Sequence, residues 1–424
     1  MSKFIIDRSS CYVCKGDPLR CHPSRCPLRI KHFGLEPIKM QIGNATEIEG
    51  LLPPSFFVGS NNWPKVNISP QIGVFQEKNI SIIDEPDMWK TSFEIPEIVR
   101  FRSSLIRAKV GKVDVRKFSQ EPKIMRFLET THEFLLSTTP AYSSVEFEKS
   151  LNYNLSFDQF TQPMGPGQII KRFTTEDTPK SNHKIERVVS DDDMNAFLAI
   201  SDLFNNANLT VTQINRILSA GMLGEEKKRR LVPTRWAITA TDDNIGKALL
   251  EKIRDYDILD HFEVYRSDYL DNHFRILFRP YEWSFEFFEL WKGMADDPKQ
   301  KWHITQDIEY FEGRTGYVEQ TAGGYYAARL PALEHLKKIR KQAEIIIIRE
   351  IGSGYFIPLG VWQVRENSRN AFRNKPLYSG NSEDNAMKFL MEGLEVPFPL
   401  IKKRSVLLNR NFRQQRLMRY FKND

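Results

Sequence analysis

All four cysteines of this 424-residue chain fall within sixteen positions: Cys11, Cys14, Cys21 and Cys26, spaced Cys-x2-Cys-x6-Cys-x4-Cys. A segment this short cannot bury a core of its own, so its fold depends on what the thiolates bind. Four thiolates at this density surround one tetrahedral Zn²⁺ at about 2.3 Å each, with Cys11 and Cys14 as the first chelating loop. The shell is closed, which makes such a zinc structural rather than catalytic. The spacing is not that of a double Cys-x2-Cys ribbon, so an iron–sulfur cluster and a substitute ligand, His22, stay open as alternatives. A disulfide framework requires an oxidising compartment. Residues 1–45 thus read as a four-cysteine zinc module, made basic by Arg20, Arg25, Arg29 and Lys31.

The compartment expected is the reducing cytoplasm. Asp7 and Arg8 interrupt the only apolar residues near Met1, and the longest aliphatic run, Ile345 to Ile348, is walled by Glu344 and Arg349. Neither a signal segment nor a membrane span is expected from these stretches. The net charge of +7 is unevenly spread, with seven basic residues against two acidic in positions 1–32 and eight against one in positions 401–424. The intervening stretch is net acidic. Charge at two ends suits a phosphate polyanion gripped there, by counterion release, rather than across the whole surface; solvated tails are the alternative.

Residues 414–421, Gln-Gln-Arg-Leu-Met-Arg-Tyr-Phe, fit the pattern Gln-x-x-aliphatic-x-x-aromatic-aromatic used to dock on DNA sliding clamps. In a 3₁₀ turn, positions three apart eclipse, so Leu417 and Tyr420 project together with Phe421 beside them as a hydrophobic plug. The Gln414 amide, donor and acceptor at once, suits a separate polar pocket. Lys402, Lys403, Arg404, Arg410 and Arg413 precede the plug as candidate nucleic-acid contacts. Residues 401–424 therefore read as a flexible basic clamp-binding tail, with an amphipathic helix packed on the protein's own body as the alternative.

Between module and tail stand Leu231-Val232-Pro233-Thr234-Arg235-Trp236, Gly323-Gly324-Tyr325-Tyr326-Ala327-Ala328-Arg329-Leu330 and Pro358-Leu359-Gly360-Val361-Trp362-Gln363-Val364-Arg365-Glu366. With the cysteines before them and the tail after, these motifs in this order resemble the archaeal Nre family of DNA-repair proteins over essentially the full length. The resemblance implies a role in the response to DNA damage, coupled to the clamp PCNA through the tail, with DNA and other repair proteins as partners and a cytoplasmic, nucleoid-associated location. It supplies no chemistry.

The body, residues 46–400, reads as mixed α/β, giving an α+β fold with a zinc module in front and the tail behind. Residues 56–125 look strand-rich, and residues 162–190, which include Pro163-Met164-Gly165-Pro166-Gly167, are the expected boundary between two subdomains. A helix carrying Met194, Phe197, Leu198 and Phe204 follows, capped by residues 191–193. The next begins at Thr210, whose capping box with Gln213 precedes a stripe of Ile214, Ile217 and Leu218, and Gly221 ends it. Lys227-Lys228-Arg229-Arg230 after this pair admits a helix-turn-helix reader; a helical hairpin packed on the sheet is the plainer reading. Residues 236–240, 345–348, 356–359 and 361–364 are expected as strands, with a helix after Asp242-Asp243 carrying Ile245, Leu249 and Ile253.

The chemistry, if any, is sought around residues 303–324. In a strand, His303, Thr305, Asp307 and Glu309 share a face. Glu312 and Arg314 follow, and Gly323 and Gly324 open a helix that Pro331 kinks. Asp307 and Glu309, with Asp242 and Asp243, would hold Mg²⁺ or Mn²⁺ in a nuclease. Alternatively, Gly323, Gly324 and Arg314 would hold the phosphates of a nucleotide, as in an NAD-dependent ADP-ribosyltransferase acting on DNA. A solvated polar strand face followed by a turn is the reading without chemistry. No P-loop, His-Glu-x-x-His or Gly-x-Ser-x-Gly signature occurs, which argues against a P-loop ATPase and an ordinary zinc hydrolase.

Overall fold

The computed structural model describes residues 26–73, 80–137, 139–153, 163–175, 180–292 and 301–410. The chain forms two compact units, Met1–Ala248 with Phe356–Glu366, and Leu249–Tyr355 with Asn367–Asp424. Cys11, Cys14, Cys21 and the clamp peptide lie outside the described residues.

The first unit contains, in chain order, α1 (Pro27–Ile42), β1 (Glu47–Leu52), β2 (Phe56–Val58), β3 (Lys65–Gly73), α2 (Ser81–Asp84), α3 (Pro86–Trp89), α4 (Ile95–Ser104), β4 (Leu105–Asp114), α5 (Pro122–Leu135), β5 (Ala141–Phe147), β6 (Gly167–Thr175), α6 (His183–Val189), α7 (Ala196–Asn205), α8 (Val211–Ser219) and most of α9 (Thr234–Ile253). Its strands run in the order β1-β5-β6-β4-β3-β2, and Leu51 of β1 also faces Gly73 of β3. That pairing closes five strands on themselves, which removes the free edges an open sheet would present. Every pairing is antiparallel except β4 with β6. The stretch read from sequence as a subdomain boundary contributes β6, which bridges β5 and β4 within this ring.

α1, expected as the second half of the zinc module, packs against α4, with Leu28, Leu35 and Ile38 buried and Gly34 close to Arg100 and Ser103. The capping box of α8 is present: the Thr210 hydroxyl accepts from Gln213 N at 3.1 Å and Gln213 Oε1 from Thr210 N at 3.0 Å. Gly221 follows at φ +72. Eight of the nine α8 residues are buried, so no face is left for a DNA groove, and the helical-hairpin reading holds. The preceding helix starts at Ala196, capped by Asn195 rather than by the aspartates 191–193.

Two expected strands are helices. Residues 236–240 belong to α9, whose buried stripe of Ala237, Thr241, Ile245, Leu249 and Ile253 recurs every four residues but is small or polar over its first turns. Of residues 361–364, Val361 is in a turn and the rest start α11 (Trp362–Ala371), introduced by Gly360 at φ +99, and residues 356–359 form no strand. The β-prone triplet Val361, Trp362 and Val364 misled the sequence reading because tertiary packing overrides propensity. The Trp362 indole donates to Leu359 O at 2.7 Å and meets the buried Trp89 edge-on at 5.0 Å.

The second unit continues with β7 (Phe262–Tyr269), β8 (Asn272–Arg279), β9 (Ser284–Lys292), β10 (Trp302–Glu309), α10 (Ala322–Ile339), β11 (Glu344–Ile351), the end of α11, β12 (Tyr378–Gly380), α12 (Glu383–Met391) and α13 (Phe398–Arg404). One sheet runs β10-β9-β11-β8-β7-β12, with β9 and β11 parallel. Helices cover both faces. On one, Phe285 meets Tyr325 of α10 at 5.1 Å and Phe278 meets His335 at 5.6 Å. On the other, Leu277, Ile346 and Ile348 pack with Leu390, Ile401 and Leu407. A strand covered on both sides reads as a continuous apolar run, which is why Ile345 to Ile348 was legible. Helices and sheets are thus mixed, as α+β requires. Residues 401–408, read as the start of a flexible tail, instead put Ile401 and Leu407 fully into this core.

Candidate functional site

β10 was expected to offer a row of open carboxylates, but its acids are turned inward. Asp307 accepts from the backbone N–H groups of Glu319 (3.0 Å), Gln320 (3.0 Å) and Thr321 (2.7 Å), and from the Thr321 hydroxyl at 2.7 Å. Burial pushes its carboxyl upward, yet these bonds outweigh burial and hold it below the usual carboxylate range. Glu309 is paired with Arg329 at 2.7 Å and accepts from the Trp283 indole at 2.9 Å, with both charged side chains almost fully buried. The two carboxylates thus spend their lone pairs on the protein.

The glycines fare similarly. Three backbone N–H groups just ahead of α10, the kind of donors that cradle a phosphate, already point at Asp307. Gly324 lies against Glu289, whose carboxylate oxygen would sit 2.8 Å from any Cβ placed there, so this glycine serves close approach. Glu289 in turn pairs with Arg349, which also donates to Asn272 Oδ1 at 2.9 Å. Arg314 is bound to the carbonyls of Ile308 (2.7 Å) and Tyr317 (3.3 Å). Glu312 is exposed. Pro331 lies within α10 and does not end it.

The other acidic candidates behave alike. Asp242 sits inside α9, fully buried against Arg365, while Asp243 pairs with Lys247 one turn on at 2.7 Å. Among the described residues no three His, Cys, Asp or Glu side chains converge as metal ligands. The arrangement therefore gives neither the nuclease nor the nucleotide reading a site at residues 307–324.

The basic candidates separate into two kinds. Lys402 and Lys403 are exposed on α13 and form no ion pair among the described residues, and Arg404 beside them donates to Ile304 O at 3.2 Å. Arg410 is folded back, over the Tyr310 ring at 5.1 Å and 3.9 Å from the Glu344 carboxylate. Glu344 lies fully buried next to Arg279, which also reaches Leu407 O (3.0 Å) and Glu383 (2.7 Å). Burial drives the Glu344 carboxyl up to about 7, with Arg279 opposing. Arg413 lies outside the described residues. Cys26, the one described member of the cysteine cluster, is half-exposed at the N-cap of α1, with Ile30 N bonded to its carbonyl at 3.0 Å.

What these features define is a protein of two α+β units whose inward acids on β10 and α9 are structural and whose α13 lysines, Lys402 and Lys403, face solvent. The family model for the N-terminal part of archaeal Nre proteins matches residues 20–295, and that for the C-terminal part matches residues 309–420. The chain belongs to the archaeal Nre family. It is 36% identical over 369 residues to the DNA repair protein NreA of Archaeoglobus fulgidus, covering 86% of this chain and 89% of the relative. It is 34% identical over 388 residues to DNA repair protein NreB of the same organism, covering 90% and 92%, and 32% identical over 368 residues to DNA repair protein NreA of Haloferax volcanii, covering 84% and 86%. No solved structure matches it. Among the described residues no helix is long and apolar enough to cross a membrane.

Proposed function

We infer that this chain is a DNA-repair protein, brought to DNA by docking residues 414–421 on the sliding clamp PCNA. The observation that carries the repair role is its similarity, over 84–90% of its length, to relatives that are themselves DNA repair proteins. The docking step is supported by the peptide pattern, with Leu417, Tyr420 and Phe421 as plug and Gln414 as polar anchor. Lys402 and Lys403, exposed and without ion-pair partners among the described residues, suit phosphate contacts close to that peptide. Cys11, Cys14, Cys21 and Cys26 are assigned a structural zinc, for which four thiolates are the matching donor set.

The experiment is a comparison of the full chain with Leu417→Ala/Phe421→Ala. Buried anchors of this kind are worth about 2 kcal/mol or more each, so the double variant should bind the clamp at least a hundredfold more weakly by calorimetry. A deletion strain exposed to DNA-damaging agents should regain survival with the wild-type gene and not with the double variant. Undiminished clamp binding refutes the docking step, and wild-type survival of the deletion strain refutes the repair role.

A further inference from the structure

The first unit contains a polar cavity of about 220 Å³ lined by Lys31, Arg107, Lys109, Met164, the 165–167 backbone and Asn152, with Leu35 behind. Among the described residues, three cations and no acid line it. The bare loop Gly165-Pro166-Gly167, which stood out in the sequence, makes the crowding possible. Parallel pairing sets Arg107 opposite Gly167 and Lys109 opposite Ile169, and Arg107 N donates to Pro166 O at 2.9 Å. A Cβ at Gly167 would lie 2.7 Å from the Lys109 side chain and 2.9 Å from that of Arg107. Glycine there lets the two cationic stems, two residues apart on one face of β4, run beside the loop.

Arg107 directs Nε to Gly165 O at 3.1 Å and a terminal nitrogen toward the Met164 sulfur, so its guanidinium is braced without meeting a carboxylate among the described residues. Lys109 makes no ion pair or hydrogen bond among the described residues. Burial lowers the affinity of both groups for their protons, and Arg107 adds to the effect on Lys109. Half-buried cations held side by side cost stability unless an anion joins them, and a braced guanidinium beside an ammonium matches the oxygens of a phosphate.

We propose that this cavity binds a phosphate group, held by Arg107 and Lys109 with Lys31 on the α1 side. The phosphate comes either from a nucleic-acid strand or from a free nucleotide, and the assignment does not depend on the clamp peptide or on the repair role.

The test uses the full chain at constant ionic strength, titrated with inorganic phosphate, with ATP, and with single-stranded oligonucleotides ending in a 5′-phosphate or a 5′-hydroxyl. Saturable binding of inorganic phosphate is expected. Lys109→Met, which keeps the stem and removes the charge, should weaken it about tenfold, the loss of one charge-assisted hydrogen bond. Lys123→Met, exposed on α5, should leave it unchanged. If Lys109→Met does not fold, Lys31→Met carries the same expectation. A preference for the oligonucleotides assigns the site to a strand, and a preference for ATP assigns it to a nucleotide. Absence of saturable binding by all of these ligands overturns the proposal, as does an equal loss in Lys123→Met or full binding by the cavity variant.

Discussion

Arg365 reaches both carboxylate oxygens of Asp242, at 2.6 and 2.7 Å, from 123 positions further along the chain. Both side chains are almost completely removed from water. Removing one partner strands the other charge, so Asp242→Ala and Arg365→Ala should each cost about 3–5 kcal/mol in denaturant unfolding. The paired replacement Asp242→Asn with Arg365→Met should recover a substantial part of that loss. Single variants as stable as the wild type would show that the pair is not what holds residues 356–366 in the first unit.

The buried Glu344 makes the protein sensitive to pH. Its carboxyl titrates at about 7 in the folded state against 4.5 for the free side chain. Between these values the folded chain holds more protons than the unfolded one. The contribution is therefore complete below about pH 4.5 and lost as pH rises through 7, for a total of about 3 kcal/mol. Unfolding free energies measured across this window should decline more steeply in the wild type than in Glu344→Gln.

Asp307 has the opposite sign. Hydrogen bonds to its ionised form place its folded pKa below 3.8, so its contribution is present above that value and lost as pH falls further. Asp307→Ala should destabilise the chain by about 3 kcal/mol, because a turn of backbone N–H groups loses a charged acceptor. As a structural residue it predicts that Mg²⁺ or Mn²⁺ changes neither the melting temperature of the wild type nor that of the variant. Metal stabilisation of the wild type that disappears in Asp307→Ala would restore the nuclease reading.

For the cysteine cluster, metal analysis of purified protein should find about one zinc per chain, and Cys14→Ser should lose it. Stripping the metal should unfold the preceding segment and leave α1 in place, since Leu28, Leu35 and Ile38 are held by α4 rather than by thiolates. Iron in place of zinc would move the assignment to an iron–sulfur cluster.

The sequence made some of this legible for local reasons. The capping box at Thr210 and Gln213, the four isoleucines of β11 and the strand at residues 303–309 carry their signals within a few residues. The helical character of residues 236–240 was hidden because Ala237 and Thr241 occupy a buried stripe without looking apolar. Asp242 looked like a metal ligand because its cation lies in a distant segment. The row of acids on β10 was placed correctly on its strand and misread in purpose, since the N–H groups that consume Asp307 come from a loop with no distinctive composition. Arg107 and Lys109 gave no signal at all; only the parallel pairing of β4 with β6 brings them beside the Gly165-Pro166-Gly167 loop.

Leu407 is sealed into the core and Arg410 is tied down beside Tyr310, four positions before Gln414. The four steps of chain from Arg410 to Gln414 span at most about 14 Å at full stretch. A clamp holding Gln414 would have the second unit on a short leash, moored against the ring rather than trailing from it, so the DNA within reach would be that emerging from the ring itself.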